Sequence, residues 1–297
     1  MIMPRGGWRA AGALAALLAL QSLAATPALG QAHTEVEFRS EIRKQNSIYQ
    51  SKGTEVPDGY VTYRALKDYE ELLPSGFSKA LGELGPLDRW LDVGAGRGQA
   101  ILDYYDRELG VAPGAAAGQP QGKARAVAMS IEDRRTVQWH ERALLLGGDQ
   151  IKYLSSKRLS QYSTDELGKF RMITDVYGGF SYTDNLSAFM EKILGALEVN
   201  GNFYTLLQSV RLDDGKEDSN TWWLTEIKDR AGQDVKVCSW LKSISCVKVT
   251  CESKSSWDTP TELIRVQKVC NEYSVPQVTR LQYEAGNPPG RVFQLAW

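Results

Sequence analysis

Residues Arg89 to Gly98 read RWLDVGAGRG: the run Trp90-Leu91-Asp92-Val93 breaks directly into Gly94-Ala95-Gly96-Arg97-Gly98. A short apolar run bounded by glycine predicts a buried strand over Arg89–Val93. Ile101, Leu102 and Tyr105 follow at helical spacing, so the glycines form a strand-to-helix turn. Glycine is required where φ must be positive, or where another group approaches the backbone too closely for a Cβ. Such a turn presents the free N–H groups of a helix start at the carboxyl end of a strand, where α/β sheets bind ligands. Taken alone, it is either a ligand cradle or a structural turn.

The chain outside this turn keeps the same rhythm. Upstream, Tyr60, Tyr63, Leu66, Tyr69 and Leu72–Leu73 predict a helix stopped at Pro74, and Phe77, Leu81 and Leu84 a second ended by Gly85-Pro86. Downstream, Ala124–Met129, Ile151–Leu154 and Phe170–Tyr177 are strand-like, with a helix over Thr136–Leu146. The clearest helix is Thr183–Leu197, with Leu186, Phe189, Met190, Ile193, Leu194 and Leu197 on one face. Asn200-Gly201 turns it into the strand Asn202–Leu207. Thr259-Pro260-Thr261-Glu262 reads as a capping box opening a helix to about Asn271. Two closing strands, about Gln277–Tyr283 and Arg291–Ala296, are joined too tightly for a crossover helix. They are hairpin neighbours, or they reach different slots of the sheet. Strands alternating with helices imply an α/β doubly wound, mostly parallel sheet.

The pattern G-x-G-x-G, with Gln99 where a dinucleotide fingerprint wants glycine, and an acidic Asp92 two residues before the first glycine, resembles the first motif of class I (Rossmann-like) S-adenosylmethionine-dependent methyltransferases. Met172–Gly178 (MITDVYG) looks like that family's fourth-strand motif. Leu197–Phe203 (LEVNGNF) is similar to its helix–turn–strand element, with Val199 and Asn200 replacing Pro and Gly. The resemblance covers roughly 60–207 and 259–297. It implies a seven-stranded sheet with an antiparallel last strand, the closing pair supplying the sixth and seventh strands, and S-adenosylmethionine as cofactor. It further implies Asp92, Gly94, Ala95, Gly96 and Gly98 at the methionine end of the cofactor, and Ser130 and Glu132 at the ribose. Asp175 or Tyr177 would face the transferred methyl.

The sequence departs from the family in two places. Ser130 stands where the second strand usually ends in a carboxylate, so Glu132 is the expected ribose ligand, against a plain exposed first-turn residue. Tyr153-Leu154-Ser155-Ser156-Lys157 offers no carboxylate to an adenine. The stretch 110–122 (GVAPGAAAGQPQG) is low-complexity and reads as an inserted surface loop, which accounts for the wide Asp92–Glu132 spacing. Asp175 is either a base or a turn carboxylate. His140 and Trp139 read as surface or packing residues and core, respectively.

Arg5 and Arg9, the apolar run Ala10–Leu20 and the small-residue stretch Ala24–Ala32 compose a secretory signal over 1–30, followed by a flexible arm over 31–58. The run is short for a membrane span, which needs about 20 apolar residues. With 35 basic and 36 acidic residues the full chain carries −1, without blocks of either sign, so a nucleic-acid partner is not indicated. Two histidines exclude a His-rich metal site. Cys238, Cys246, Cys251 and Cys270 lack zinc-ribbon spacing and read as two disulfides in an oxidising compartment, periplasmic or extracellular, or else as buried thiols. The preferred pairing is Cys238–Cys246 with Cys251–Cys270. Residues 211–258 read as a disulfide-braced insert, with Val235–Cys238 and Val247–Cys251 as a β-ribbon. It serves as a lid over a small-molecule or peptide substrate, or as a small module with its own core. Export sits awkwardly with a cytosolic cofactor, which leaves three readings: an exported methyltransferase, a catalytically inactive methyltransferase-like binding or envelope protein, and a nucleotide- or polyamine-related enzyme.

Overall fold

The structure is a computed structural model and describes residues 63–109, 122–211, 221–254, 261–284 and 289–296. The expected signal segment over 1–30, the expected arm over 31–58, nearly all of the 110–122 loop and Thr259-Pro260 lie outside these residues. Helices α1 (Leu66–Leu72) and α2 (Phe77–Gly82) precede β1 (Arg89–Val93) and α3 (Gln99–Leu109). Then come β2 (Arg125–Met129), α4 (Val137–Leu146), β3 (Ile151–Leu154), the single turn α5 (Thr164–Leu167) and β4 (Phe170–Asp175). The turn α6 (Gly179–Tyr182) leads to α7 (Leu186–Ala196) and the long strand β5 (Leu197–Arg211).

These strands build a sheet in the order β3-β2-β1-β4-β5, every neighbouring pair parallel. Strand alternation sends Trp90, Met172 and Tyr204 to one face, beneath α1 to α4, and Leu91, Ile173 and Phe203 to the other, beneath α7. Helix α7 forms as its pattern demands: Asn185 Oδ1 accepts the Ala188 amide at 3.0 Å, and Leu186, Phe189, Met190, Ile193 and Leu194 are buried.

Beyond β5 the chain forms β6 (Thr221–Trp223), β7 (Thr225–Lys228), β8 (Asp234–Val235), α8 (Val237–Lys242), β9 (Val247–Lys254), β10 (Thr261–Lys268), β11 (Val278–Glu284) and β12 (Gly290–Leu295). The main sheet continues β5-β10-β9, with β10 antiparallel to both neighbours. The fold is therefore a mostly parallel path of seven strands with one antiparallel member, β10, and β6 adds a short antiparallel pairing at the end of β5. The last two strands of the path are not the expected ones. Residues 261–268 are a strand, not a helix. Thr261, Leu263, Ile264, Val266 and Lys268 are all buried, because β10 is covered on both faces and paired along both edges. The closing hairpin is real, yet β11 and β12 belong to a second sheet ordered β11-β12-β7-β8, where β12 runs parallel to β7.

The insert also differs. Val235 pairs with Ile227, and Val237 opens α8, so Val235–Cys238 and Val247–Cys251 do not form a ribbon. The disulfides are Cys238–Cys251, Cα–Cα 6.4 Å, and Cys246–Cys270, Cα–Cα 5.2 Å. Helix α8 turns buried Cys238 onto the middle of β9, while Cys246 at the α8–β9 turn meets the residues following β10. The first bridge thus ties α8 to the edge strand of the main sheet, and the second closes the shared end of β9 and β10, where Val247 pairs with Lys268. Replacing both Cys238 and Cys251 by serine is expected to cost about 3 kcal/mol, the loop-closure value for a cross-link of this span. Urea unfolding measures it, and a change below about 1 kcal/mol would show that the bridge carries no such constraint.

Lys268 is 1% exposed and donates to the carbonyls of Leu194 at 2.9 Å and Leu197 at 3.1 Å. A lysine from β10 so closes the C-terminus of α7, where carbonyls lack intrahelical partners and the dipole favours a cation. Burial, with Lys169 second, lowers its pKa. Lys268→Met strands both carbonyls and should cost about 2 kcal/mol. Hydrogen exchange at the last turn of α7 reads the same loss locally.

Candidate cofactor site

The glycine turn sits at the carboxyl end of β1, between the ends of β2 and β4. Gly94, Gly96 and Gly98 have φ of 79°, 53° and 73°. The amides of Gly94 and Ala95 both donate to the Met129 carbonyl at 2.9 Å, which pins the turn to the end of β2. A Cβ on Gly94 would lie 2.6 Å from Gly178 Cα, and one on Gly98 would lie 2.3 Å from the Trp139 ring. Two of the three glycines are therefore demanded by the protein's own packing. Gly94 is nonetheless exposed, and the amides of Gly96 and Arg97 meet no protein acceptor among the described residues. The turn keeps donors free at the start of α3.

Asp92 is completely buried. Its carboxylate accepts from the Tyr69 hydroxyl and from Thr174 Oγ1, each at 2.8 Å, and Thr174 Oγ1 accepts in turn from Trp90 Nε1 at 2.8 Å. Burial pushes the Asp92 carboxyl up to about 7, against the pull of these two hydrogen bonds and of Arg64. Asp92 thus latches α1 to the tip of β1 instead of projecting into solvent.

Asp175 is buried as well, its oxygens accepting the amides of Gly178 and Phe180 at 2.9 Å. It is a turn carboxylate. Burial raises its pKa to about 7, with the Asp92 charge adding to the rise. Tyr177, by contrast, is only partly buried, sits at φ 53°, and carries the Arg64 guanidinium 4.8 Å over its ring.

At the end of β2, Ser130 and Glu132 are half-buried, and Glu132 pairs with Arg134. Tyr153, at the end of β3, joins this loop to the glycine turn. Its hydroxyl donates to the Gly96 carbonyl and accepts from the Arg134 amide at 3.2 Å, and Ser130 also bonds it. Trp139 stands edge-on to Tyr153 at 5.3 Å. Gly94 to Gly98, Ser130 and Glu132 are thus brought to one corner, and Tyr177 to the neighbouring strand end, while Asp92 and Asp175 are enclosed beneath. His140 is exposed on α4.

No family profile matches the chain, and no curated protein matches it. Solved structures do. An rRNA methylase from Streptococcus thermophilus is 13% identical, with a TM-score of 0.40 over 66% of this chain and 95% of that one. A glycopeptide N-methyltransferase complexed with sinefungin is 13% identical, with a TM-score of 0.40 over 69% and 95%. Phosphoethanolamine N-methyltransferase 2 of Haemonchus contortus, in complex with S-adenosyl-L-methionine, is 9% identical, with a TM-score of 0.43 over 69% and 57%. Methyltransferases recur among the similar structures. At these values the likeness assigns no role to any residue.

Sequence reasoning missed Tyr69, Arg64 and Tyr153. Tyr69 had a signal, its place on the apolar face of α1, but nothing local says that its hydroxyl meets Asp92.

Proposed function

We propose that the chain is an exported S-adenosylmethionine-dependent methyltransferase of class I fold. The carrying observation is the exposed Gly94 turn, with free amides at Gly96 and Arg97, placed beside Glu132 in a sheet whose order is β3-β2-β1-β4-β5-β10-β9. The residues present suit such a cofactor. Gly94 leaves its backbone open to a ligand, the helix start favours a negatively charged group, and Glu132 offers two oxygens to vicinal hydroxyls once it turns from Arg134. When bound, the cofactor supplies a methyl group on a sulfonium, which an acceptor takes by in-line displacement. The protein's part is positioning and exclusion of water. Tyr177 and Arg64 line the strand end where an acceptor would stand. Asp175 holds the turn that sets Tyr177, its oxygens taken by the Gly178 and Phe180 amides, so an acceptor that brings its own nucleophile, ionised or as a neutral amine, suits the site best.

Two disulfides are compatible with export, and no described helix is long and apolar enough to cross a membrane. A second reading, a binding protein without turnover, draws support from the closure of both strand-end carboxylates. Calorimetry of the purified chain with S-adenosylmethionine tests the first step. Saturable heat is expected, and Glu132→Gln should weaken binding about tenfold, the loss of one good charge-assisted hydrogen bond. No heat at millimolar cofactor would sink the proposal. Heat with no methyl transfer to any acceptor would favour the second reading.

A further inference from the structure

Arg291, on β12, is 2% exposed. Its Nη1 donates to the Thr183 carbonyl at 2.7 Å and its Nη2 to Thr225 Oγ1 at 2.6 Å. Its Nε meets no partner among the described residues. Both acceptors are neutral, and among the described residues no carboxylate bonds the guanidinium. The nearest acids are otherwise engaged: Asp175 by the amides of Gly178 and Phe180, and Asp184 by Arg280 at 2.9 Å. On β5, Thr205 is the register partner of Asp175, fully buried, and its Oγ1 is unpartnered too. Two unsatisfied polar groups therefore lie in the surroundings of Asp175, Thr205 as its neighbour across the sheet and Arg291 within reach of its charge.

A buried cation held only by neutral acceptors, with one N–H unmet, is costly. A water would satisfy the N–H but not the charge. A carboxylate does both, since its oxygens match the guanidinium edge and accept a hydroxyl as well. The geometry points to Arg291 and Thr205 as a receptor for a carboxylate at the carboxyl ends of β4 and β5. On the methyl-transfer reading, on which this use of it rests, that carboxylate is part of the acceptor. Arg291 Nε donates to one oxygen, and the Thr205 hydroxyl donates to the carboxylate from β5. Acceptors bearing an acid are then taken over their amides.

Formate is the probe, titrated into the ¹⁵N-labelled chain at constant ionic strength, with chloride as control. The Arg291 Nε–H resonance, assigned by its loss in Arg291→Lys, should move and saturate with formate. Thr205→Val should weaken that response several-fold while leaving unfolding in chloride unchanged or slightly raised. This second variant keeps the test intact should Arg291→Lys not fold, with the resonance then assigned through the backbone. A resonance that formate does not move beyond the chloride control, as for a bound water, overturns the receptor, and so does an unaltered response in Thr205→Val. Calorimetry with S-adenosylmethionine on the same samples separates the two claims. Cofactor heat without a formate response removes the receptor alone, and a formate response without cofactor heat removes the methyltransferase reading alone.

Discussion

Gly98→Ala is expected to destabilise the fold by about 2–5 kcal/mol, the sum of a strained left-handed φ and an overpacked contact. The new Cβ would fall 2.3 Å from one Trp139 ring atom and 2.7 Å from another. Trp139 has nowhere to retreat. It is 2% exposed, its amide is held by Thr136 Oγ1 at 3.2 Å, and its ring stands against Tyr153. Because Tyr153 also bonds Gly96, the displacement passes back into the glycine turn. Against a typical total stability of about 5–15 kcal/mol, such a loss brings the protein near its unfolding threshold. The contact has a partner that can be removed, so the test is a double-mutant cycle with Trp139→Leu. Coupling of about 1–3 kcal/mol, with the pair less damaged than the sum, is expected. Strict additivity in urea unfolding would show that Gly98 is needed for its φ alone. Gly94→Ala meets backbone, Gly178 Cα at 2.6 Å, and no side-chain substitution should rescue it.

The glycines illustrate what local sequence can and cannot disclose. The strand-turn-helix unit is legible because everything that defines it lies within ten residues. The same holds for α7, whose apolar stripe and Asn185 cap are contiguous. What the turn packs on is not local: Trp139 and Gly178 reach it through folding, so a motif that reads as ligand cradle is also an internal packing motif. The strand β10 shows the opposite failure. Leu263, Ile264 and Val266 suit one helix face as well as a strand buried on both faces, and the capping-box residues tip the choice to helix. Only the need of β5 for a neighbour decides otherwise, and that need arises far upstream. The closing hairpin is legible as a hairpin, while the sheet it joins depends on β7. Cysteine pairing failed for a related reason. The helix that carries Cys238 turns it toward β9, and spacing alone does not reveal a helix of six residues. Arg291 escaped notice because a basic residue in an alternating strand reads as solvent-facing until a second sheet covers it.

Asp92 supplies the other large effect, through pH. In an unfolded chain an aspartate titrates near 3.8, whereas burial holds this one up near 7. The folded protein therefore binds an extra proton between those values, and stability is greatest at the acid end of the window. It falls as pH rises through it and levels above about 7, by at most about 4 kcal/mol for a shift of this size. Asp175, raised in the same direction, adds a slope of the same sign. Asp92→Asn keeps the shape and cannot ionise. Its amide can donate to one of the two hydroxyls, Tyr69 or Thr174, and its carbonyl can accept from the other. Urea unfolding at intervals from pH 5 to about pH 8 should show a distinctly flatter profile for the variant, with the gap between the two proteins widening in the variant's favour as pH rises. Tyr69→Phe removes a donor that favours the anion, so it should steepen the slope instead. Parallel profiles for Asp92→Asn and the parent would mean that Asp92 stays ionised throughout. The Tyr69 and Thr174 hydroxyls, with Arg64, would then outweigh burial, and α1 would be fastened to β1 by a permanent charge. The difference bears on the site, because the Asp92–Tyr69 latch adjoins the glycine turn: a carboxyl that loses its proton near neutrality makes the attachment of α1 beside Gly94 depend on the acidity of the compartment.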